Sequence, residues 1–297
     1  MRAVVTGGAG FIGSNLVDSL LARGDEVTVV DNFASGKREN LNSGATLLEH
    51  DIREPFALSA DVIFHLAAQA DVQTSMKRPE YDAAVNVVGT VNVLQAAPAA
   101  QVIFASSGGA GYGECAEPAR EETPFLPESP YGIAKQCGEE YLAGWNRIHG
   151  TSHVSLRFAN VYGPRQEASL EGGVIAIFLE RLARGEATVV FGDGSQSRDF
   201  IYVADVVESL LTVAGAGGGP FNVGTGDDTT VSELHRACAA VAGVAAQPRH
   251  EAARLGDIQR SVLDVSRIER ERGWGAQVTL EDGLRRTWAW MQEAQAA

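Results

Sequence analysis

Cysteine and lysine are scarce in this sequence of 297 residues, with three of each. Cys115, Cys137 and Cys238 are widely spaced and show neither a C-x-x-C pair nor a metal-ligand pattern. That spacing argues against a disulfide framework and against a zinc site, so we expect no bound metal. Because lysine is so rare, each lysine that falls within a motif is a candidate for a specific role.

The sequence also lacks an excess of positive charge and any long apolar run. A net charge of −14 argues against nucleic acid as a partner, since that binding needs a basic face. No window reaches the apolar length needed to span a membrane. The N-terminus enters a strand-like run at residues 2–5 without the basic, apolar and small-residue order of a signal peptide. We therefore expect a cytoplasmic protein with no nucleic-acid or membrane partner.

Short β-type runs alternate with helix-length segments over the first half of the chain. Several of these runs are almost continuously apolar, as in strands whose two faces are both covered. The alternation predicts an α/β fold with a doubly wound parallel sheet of the Rossmann type. The predicted strands are residues 3–6, 26–30, 46–49, 62–66, 102–105 and 153–158, and the predicted helices are 11–22, 79–97 and 131–149.

After about residue 163 this regular alternation weakens. Predicted helices at 174–184, 205–214, 231–242, 266–272 and 280–293 are separated by turn-rich pieces. The pattern indicates a smaller, mostly C-terminal α/β lobe that binds substrate. We predict a dinucleotide-binding domain over residues 1–163, with 195–224 interleaved into it, and a second lobe over residues 164–297.

A glycine cluster directly follows the first predicted strand and opens the first predicted helix. Residues 7–13 contain both G-x-G-x-x-G and G-x-x-G-x-x-G spacings, which permit a tight turn and let backbone N–H groups approach a pyrophosphate. Asp31 ends the next strand, where a carboxylate can bind the adenosine ribose and repel a 2′-phosphate. This context favours NAD over a merely structural turn and over NADP, although Lys37 and Arg38 lie close by.

Tyr131 and Lys135 stand four residues apart, which places them on one face of a helix that Ser129-Pro130 can begin. Tyrosine has an ordinary pKa of about 10, and a neighbouring cation lowers the pKa by stabilising the phenolate. An isolated pair of this kind is more often a surface pair. Its position after a dinucleotide motif, and after the serine-bearing strand end ASSGGAGYG at residues 105–113, favours a catalytic role instead.

These motifs resemble the extended short-chain dehydrogenase/reductases, and specifically the UDP-glucose (UDP-galactose) 4-epimerase family. The resemblance runs almost from end to end. It is carried by TGGAGFIG (6–13), DNFASGKREN (31–40), HLAAQADVQTSMKRP (65–79), NVVGTVNVL (86–94), SSGGAGYGE (106–114), YGIAK (131–135), LRFANVYGPRQ (156–166), GDGSQSRDFIYVADV (192–206) and RLGDIQRS (254–261).

The resemblance implies that Ser107, Tyr131 and Lys135 form the catalytic triad. Tyr131 would remove the proton from the sugar C4 hydroxyl, Ser107 would hydrogen-bond that hydroxyl, and Lys135 would hold the nicotinamide ribose and lower the tyrosine pKa. A 4-keto sugar would turn over and be reduced on its other face, so that NAD is regenerated.

The resemblance also implies the binding residues. For NAD they are Gly7, Gly10, Phe11, Ile12, Gly13, Asp31, Asn32, Phe33, Ala34, Ser35, Gly36, Asp51, Ile52, Leu66, Ala67, Ala68, Gln69, Asn86, Tyr131, Lys135 and Phe158. For the UDP-sugar they are Ser107, Tyr131, Asn160, Val174, Phe191, Arg198, Arg254, Asp257 and Ser261.

Two positions need comment. The loop after Ser107 is one residue longer than the family spacing: a count from the strand selects Ser107, and a count back from Tyr112 reaches Gly108, which has no hydroxyl. We follow the strand count. The resemblance also implies that Ser261 stands at the position that limits sugar size in the family, where a small residue would leave room for an N-acetyl group.

Other readings of the same motifs remain. Gly108-Gly109 replaces the Asp-Glu pair of the related 4,6-dehydratases and so disfavours dehydration. A UDP-glucuronate or dTDP-hexose 4-epimerase stays open, and a non-catalytic dinucleotide sensor is the alternative from another class. The family implies a homodimer through residues 86–97 and 131–149, although those segments also suit helices that cover a sheet.

Overall fold

The computed structural model describes residues 1–168, 173–253 and 258–296. Its strands are β1 (Arg2–Thr6), β2 (Glu26–Asp31), β3 (Thr46–Glu49), β4 (Val62–His65), β5 (Gln101–Ser107), β6 (Val154–Phe158), β7 (Asn160–Tyr162), β8 (Val189–Phe191), β9 (Ser197–Arg198), β10 (Phe200–Tyr202), β11 (Phe221–Val223), β12 (Thr229–Thr230), β13 (Arg249–Glu251) and β14 (Arg260–Ser261).

The helices alternate with these strands along the chain. They are α1 (Phe11–Ala22), α2 (Val72–Lys77), α3 (Pro79–Ala83), α4 (Gly89–Ala96), α5 (Gly108–Gly111), α6 (Pro130–His149), α7 (Val174–Ala183), α8 (Val203–Val213), α9 (Val231–Ala242), α10 (Ser266–Arg272) and α11 (Leu280–Ala296). A 3₁₀ turn spans Arg38–Asn40, and a π-helical stretch, Ala84–Val88, joins α3 to α4.

Seven parallel strands form the central sheet in the order β11-β6-β5-β4-β1-β2-β3. The register pairs Thr6 with His65, and Ser107 with Phe158, at the carboxyl ends of their strands. The loops that follow β1, β2, β4, β5 and β6 therefore meet at one edge of the sheet. Ligands of open α/β sheets bind at this edge.

Helices cover both faces of the sheet because neighbouring strand residues point to opposite sides. Val5 packs in a buried cluster with Leu16 of α1, whereas Val4 packs on the other face with Leu94 of α4. Full burial of each such side chain contributes about 1.5–3 kcal/mol to folding. The alternation of Val4 and Val5 thus fixes which helix lies on which side.

The residues beyond the sheet build a second cluster around α7, α9 and α11. Phe178, Leu234 and Leu284, one from each helix, are buried together. Helix α9 begins at a capping box in which Thr230 accepts from the Glu233 N–H, and Glu233 accepts from the Thr230 N–H. Four short strands, β8, β9, β13 and β14, pair in this part of the chain.

The predicted doubly wound sheet is confirmed. Helices α1, α9 and α10 have the predicted bounds, and the helix predicted over residues 79–97 is divided into α3, the π-helical stretch and α4. The short strands β7–β10 and β12–β14 were not predicted. Strand β11, which lies within residues 195–224, pairs with β6 in the central sheet. The domain boundaries themselves stay a prediction.

Candidate active site

A cavity of about 1070 Å³ runs from the glycine-rich loop after β1, across the carboxyl ends of the sheet strands, to β8 and β9. It brings together most of the residues predicted to bind cofactor and substrate. Those that line it are Gly7, Gly10, Phe11, Ile12, Gly13, Asp31, Asn32, Ala34, Ser35, Gly36, Asp51, Ile52, Leu66, Ala67, Ala68, Gln69, Ser107, Tyr131, Lys135, Phe158, Asn160, Val174, Phe191 and Arg198.

Five predicted residues are not among those lining residues. Arg254 and Asp257 lie outside the described residues. The Phe33 ring lies under the Arg38 guanidinium, 4.1 Å from ring centroid to Cζ. Asn86 lies behind Gln69, a residue that lines the cavity, and its side chain exchanges hydrogen bonds with the Gln69 backbone. Ser261 is buried in β14 opposite Arg198. The predicted roles of these residues stay predictions.

Gly7 and Gly13, on either side of the turn after β1, leave no room for side chains. Gly7 has φ +72°, and a Cβ on Gly13 would lie 2.1 Å from the Gly7 carbonyl oxygen. Helix α1 begins at Phe11 with Gly10 as its N-cap, and no described side chain caps it. Its first-turn N–H groups therefore face the cavity with the positive end of the helix dipole. This cradle fits an anionic pyrophosphate.

Asp31 ties the loop after β1 to the loop after β2. Its Oδ2 accepts from the Ala9 N–H (2.9 Å) and its Oδ1 from the Phe33 N–H (2.8 Å). The two nearby cations are paired with carboxylates: Lys37 Nζ lies 2.5 Å from Glu167 Oε1, and Arg38 donates to Glu49. A 2′-phosphate would be repelled by the Asp31 carboxylate and would compete with both ion pairs. These surroundings therefore favour NAD over NADP.

The loop ASSGGAGYG turns directly from β5 into the single turn α5. Ser107 is the N-cap, and its Oγ accepts from the Ala110 N–H at 3.1 Å. The Ser107 hydroxyl keeps its own proton to donate. Ser106 is engaged differently, because its Oγ donates to Glu139 Oε1 (2.5 Å), and Glu139 in turn pairs with Arg157.

Helix α6 carries Tyr131 and Lys135 into the cavity. Ser129 Oγ accepts from the Gly132 N–H and Pro130 occupies the first turn, as the sequence predicts. A Cβ on Gly132 would lie 2.4 Å from the Ala110 carbonyl oxygen, so glycine lets the start of α6 approach α5 closely. This contact sets Tyr131 beside the loop that bears Ser107.

Lys135 is almost fully buried. Its Nζ donates to the Ala105 carbonyl oxygen at 2.8 Å and lies 5.7 Å from the centroid of the Tyr131 ring. Burial lowers the pKa of Lys135 to about 8, while the charges of Asp82 and Glu139 oppose that shift. The pKa of Lys135 therefore lies close to neutral pH.

Tyr112, the other tyrosine near this loop, has a different environment. Its hydroxyl donates to Asn222 Oδ1 (2.8 Å) and accepts from Arg157 Nη1 (2.6 Å), and its ring packs edge-on against Phe125. Burial raises the pKa of Tyr112 to about 12. Its proton is consequently unavailable near neutral pH, in accord with the choice of Tyr131 as the base.

The far end of the cavity contains basic residues that the sequence analysis did not single out. Arg181 and Arg249 line it beside Phe191 and Arg198. Arg249 stands on β13, which pairs with β8, and its Nη2 lies 2.6 Å from Glu251 Oε1. Neither arginine lies in a recognisable motif. Arg181 stands on helix α7, and the place of Arg249 depends on pairing between strands about 60 residues apart.

Two further observations concern the described part of the chain. It contains no group of three or more His, Cys, Asp or Glu side chains that could hold a metal ion. None of its helices combines the length and the apolar character needed to cross a membrane.

Comparison with known proteins gives concordant matches. Residues 3–224 match the NAD dependent epimerase/dehydratase family. The chain is 45% identical over 304 residues to the UDP-glucose 4-epimerase of Mycolicibacterium smegmatis, with 97% of each chain covered. It superposes with a TM-score of 0.94 on the UDP-glucose 4-epimerase of Thermotoga maritima with UDP-glucose, at 41% identity over 99% of this chain and 100% of that one.

A second solved structure is that of the Thermus thermophilus UDP-glucose 4-epimerase in complex with NAD. The TM-score is 0.92, with 40% identity over 99% of this chain and 100% of that one. The glycine cradle, the buried lysine one helical turn after a tyrosine and these matches agree, and they confirm the resemblance seen in the sequence. The chain belongs to the NAD-dependent epimerase/dehydratase family.

Proposed function

We propose that the chain is an NAD-dependent epimerase that inverts C4 of a UDP-hexose, interconverting UDP-glucose and UDP-galactose through a 4-keto sugar. The observation that carries the proposal is the continuous cavity. It joins the cradle at Gly7 and Gly13, the Ser107–Tyr131–Lys135 group and the arginine-bearing end at Arg198. The UDP-glucose 4-epimerases of Mycolicibacterium smegmatis and Thermotoga maritima, which are similar to this chain over nearly its whole length, support the same substrate.

The cradle residues would hold NAD. The uncapped first turn of α1 would bind the pyrophosphate, Asp31 and Asp51 would lie at the adenosine end, and Leu66 and Phe158 would line the rest. When bound, NAD supplies the hydride acceptor for the sugar C4 and the donor that returns the hydride.

Tyr131 would act as the base, taking the C4 hydroxyl proton as C4 is oxidised and returning a proton on reduction. The Lys135 ammonium, anchored on the Ala105 carbonyl, would stabilise the phenolate and bind the nicotinamide ribose hydroxyls. Ser107, itself fixed as the N-cap of α5, would donate its hydroxyl proton to the reacting oxygen. Ser107 and Lys135 are both positioned by backbone contacts before substrate arrives, which limits reorganisation during the reaction.

The nucleotide would provide the firm attachment, and the sugar would be held loosely enough to turn over. We assign Arg198 and Arg254 to the pyrophosphate of UDP and Asp257 to its ribose. Phe191 would lie near the uracil ring, and Asn160 and Val174 would form the wall beside the substrate. Planar guanidinium groups suit phosphate oxygens. Ser261 would leave space for an N-acetyl group, so the same site would also accept UDP-GlcNAc and UDP-GalNAc.

We also propose a homodimer formed by residues 86–97 and 131–149, the latter within α6. Ile133, Tyr141 and Ile148 follow one stripe of α6 and are all exposed, and Val88 of the neighbouring segment is exposed as well. A second copy of the chain packed on this face would cover them. Cytoplasmic location stays a prediction from the sequence.

The test is a panel of UDP- and dTDP-sugars whose products are identified by NMR. UDP-glucose should give UDP-galactose without net consumption of added NAD, and Tyr131→Phe should be inactive while it keeps its fold. Turnover confined to a UDP-uronate or to dTDP-sugars would refute the assignment of substrate. Unchanged epimerisation by Tyr131→Phe would refute the mechanism. Negligible turnover of UDP-GlcNAc beside UDP-glucose would refute the role of Ser261.

A further inference from the structure

Asp82 is a buried carboxylate that the proposed chemistry does not use. It lies on α3 with 1% of its surface exposed. One carboxylate oxygen, Oδ1, accepts from Gln69 Nε2 (2.8 Å) and from Asn86 Nδ2 (3.0 Å). The other, Oδ2, is buried and accepts no hydrogen bond from any described residue. A buried carboxylate with one unsatisfied oxygen is costly unless a nearby cation compensates its charge.

The groups around Lys135 show which carboxylate depends on its ammonium. Glu139, on the same helix, is already neutralised by Arg157 of β6, with the Nη2 to Oε2 distance at 2.7 Å. His65 of β4 is neutral, because burial lowers its pKa to about 3. Tyr131 is the titratable group of α6 that lines the cavity together with Lys135. Asp82 lies on α3, which packs against α6, and it has no cationic partner of its own among the salt bridges of the described residues.

The two charges act on each other electrostatically. Burial raises the pKa of Asp82, and the charge of Lys135 opposes that shift; the Asp82 carboxylate in turn opposes the fall in the pKa of Lys135. The carboxylate is also fixed in place. Gln69 and Asn86 both donate to it. The Asn86 side chain also exchanges two hydrogen bonds with the Gln69 backbone, at the cavity wall.

We propose that Asp82 is a positioning residue that acts through Lys135, as the buried counter-charge that keeps the lysine in its ammonium form at the pH of catalysis. This proposal rests on the role assigned to Lys135 above. Without Asp82, the lysine would lose its proton at a lower pH, and with it the capacity to stabilise the Tyr131 phenolate. Asp82 itself would touch neither sugar nor cofactor.

The substitution Asp82→Asn isolates the charge. The amide oxygen can still accept from Gln69 and Asn86, and the new NH₂ group takes the place of the oxygen that accepts nothing. The variant therefore removes a charge but no described hydrogen bond. Asp82→Glu keeps the charge, and Asp82→Ser is a second uncharged variant. Asp205→Asn is the matched control, because Asp205 is also buried, on the distant helix α8, and accepts from the Val278 N–H.

The ionisation of Lys135 can be followed directly, since the chain has only three lysines. Lysine labelled with ¹³C at Cε gives three signals in the NAD-loaded protein, and Lys37→Arg and Lys77→Arg assign the remaining one to Lys135. We expect a titration midpoint near 8 in the wild type. Asp82→Asn and Asp82→Ser should lower it by about one pH unit, the lower end of the effect of a close opposite charge. Asp82→Glu and Asp205→Asn should leave it near 8.

Activity should change in parallel. The alkaline limb of kcat should move to lower pH by the same amount in Asp82→Asn, and kcat at pH 8 should fall about fivefold, while KM for the UDP-sugar stays within about twofold. An unshifted Lys135 signal in the folded, uncharged variants would overturn the proposal, and so would an equal shift in Asp205→Asn. A wild type that shows the expected lysine titration but no epimerisation would instead overturn the proposed function.

Discussion

The two tyrosines near the Ser107 loop should respond in opposite ways to loss of their hydroxyl groups. Tyr112→Phe removes a buried oxygen that donates to Asn222 and accepts from Arg157. Tyr131→Phe removes the proposed base from the cavity. We expect Tyr112→Phe to lose stability and keep most of its epimerase activity, and Tyr131→Phe to lose activity and keep most of its stability.

The stability loss of Tyr112→Phe can be worked from these contacts. The bond from the charged Arg157 contributes about 1.5–3 kcal/mol, and the Asn222 oxygen left without this donor costs about 1–3 kcal/mol. Arg157 retains Glu139 and the Glu121 carbonyl oxygen as partners, which limits the total to about 2–4 kcal/mol. With an unfolding entropy of about 2.1 cal/mol/K per residue over 297 residues, Tm should fall by about 3–6 °C.

Differential scanning calorimetry and a coupled epimerase assay on the same preparations measure both quantities. The Phe125 ring, which packs edge-on against Tyr112, should keep its place in the variant because the benzyl ring is retained. A Tm within 1 °C of the wild type would refute the energetic argument. A Tyr112→Phe protein that is fully folded and inactive would refute the assignment of Tyr131 as the base.

Three other predictions concern pH, cofactor and assembly. Burial lowers the pKa of His65 to about 3, so the stability that the neutral ring provides is complete above the unfolded pKa of 6.5 and is lost as pH falls towards 3. We expect urea unfolding to show a loss of about 2 kcal/mol at pH 5, and we expect no such loss in His65→Gln. Gly13→Ala would press a methyl group onto the Gly7 carbonyl, an overpacking that costs about 1–3 kcal/mol. Equilibrium dialysis should then show NAD binding weakened at least fivefold, and an unchanged affinity would contradict the assignment of this loop to NAD. Tyr141→Glu should convert the dimer to a monomer in light scattering, and a wild type that is already monomeric would contradict the proposed interface.

Local signals in the sequence account for the parts of the fold that were predicted correctly. The bounds of α1 follow from the glycine turn before Phe11, and those of α9 follow from the Thr230–Glu233 capping box. The strands β9, β12 and β14 have two residues each and exist only because the folded chain brings them together. No property of two adjacent residues carries that information, so these strands could not have been found from the sequence.

The candidate site likewise contains residues that the sequence predicted and residues that it did not. A spacing of four residues placed Tyr131 and Lys135 on one helical face, and the order of strands placed Ser107 at the same edge of the sheet. Asp82 was missed because PEYDA, the sequence of α3, resembles a solvated helix start rich in polar residues. Its burial arises from the packing of α3 against α6, which the local pattern does not reveal.

The π-helical stretch Ala84–Val88 sets a constraint on how this chain can vary in length. In such a stretch the hydrogen bonds span five residues, so it holds one residue more than an α-helical turn. Deletion of one residue there would leave an ordinary α-helical turn, so the residues downstream would keep the faces that they present. Thr90 would stay at the His65 ring that it contacts at 3.0 Å, and Leu94 would stay in its buried cluster. A deletion from α4 itself would instead turn everything downstream by about 100°, so loss of a residue should be tolerated better in the π-helical stretch than in the helix that follows it.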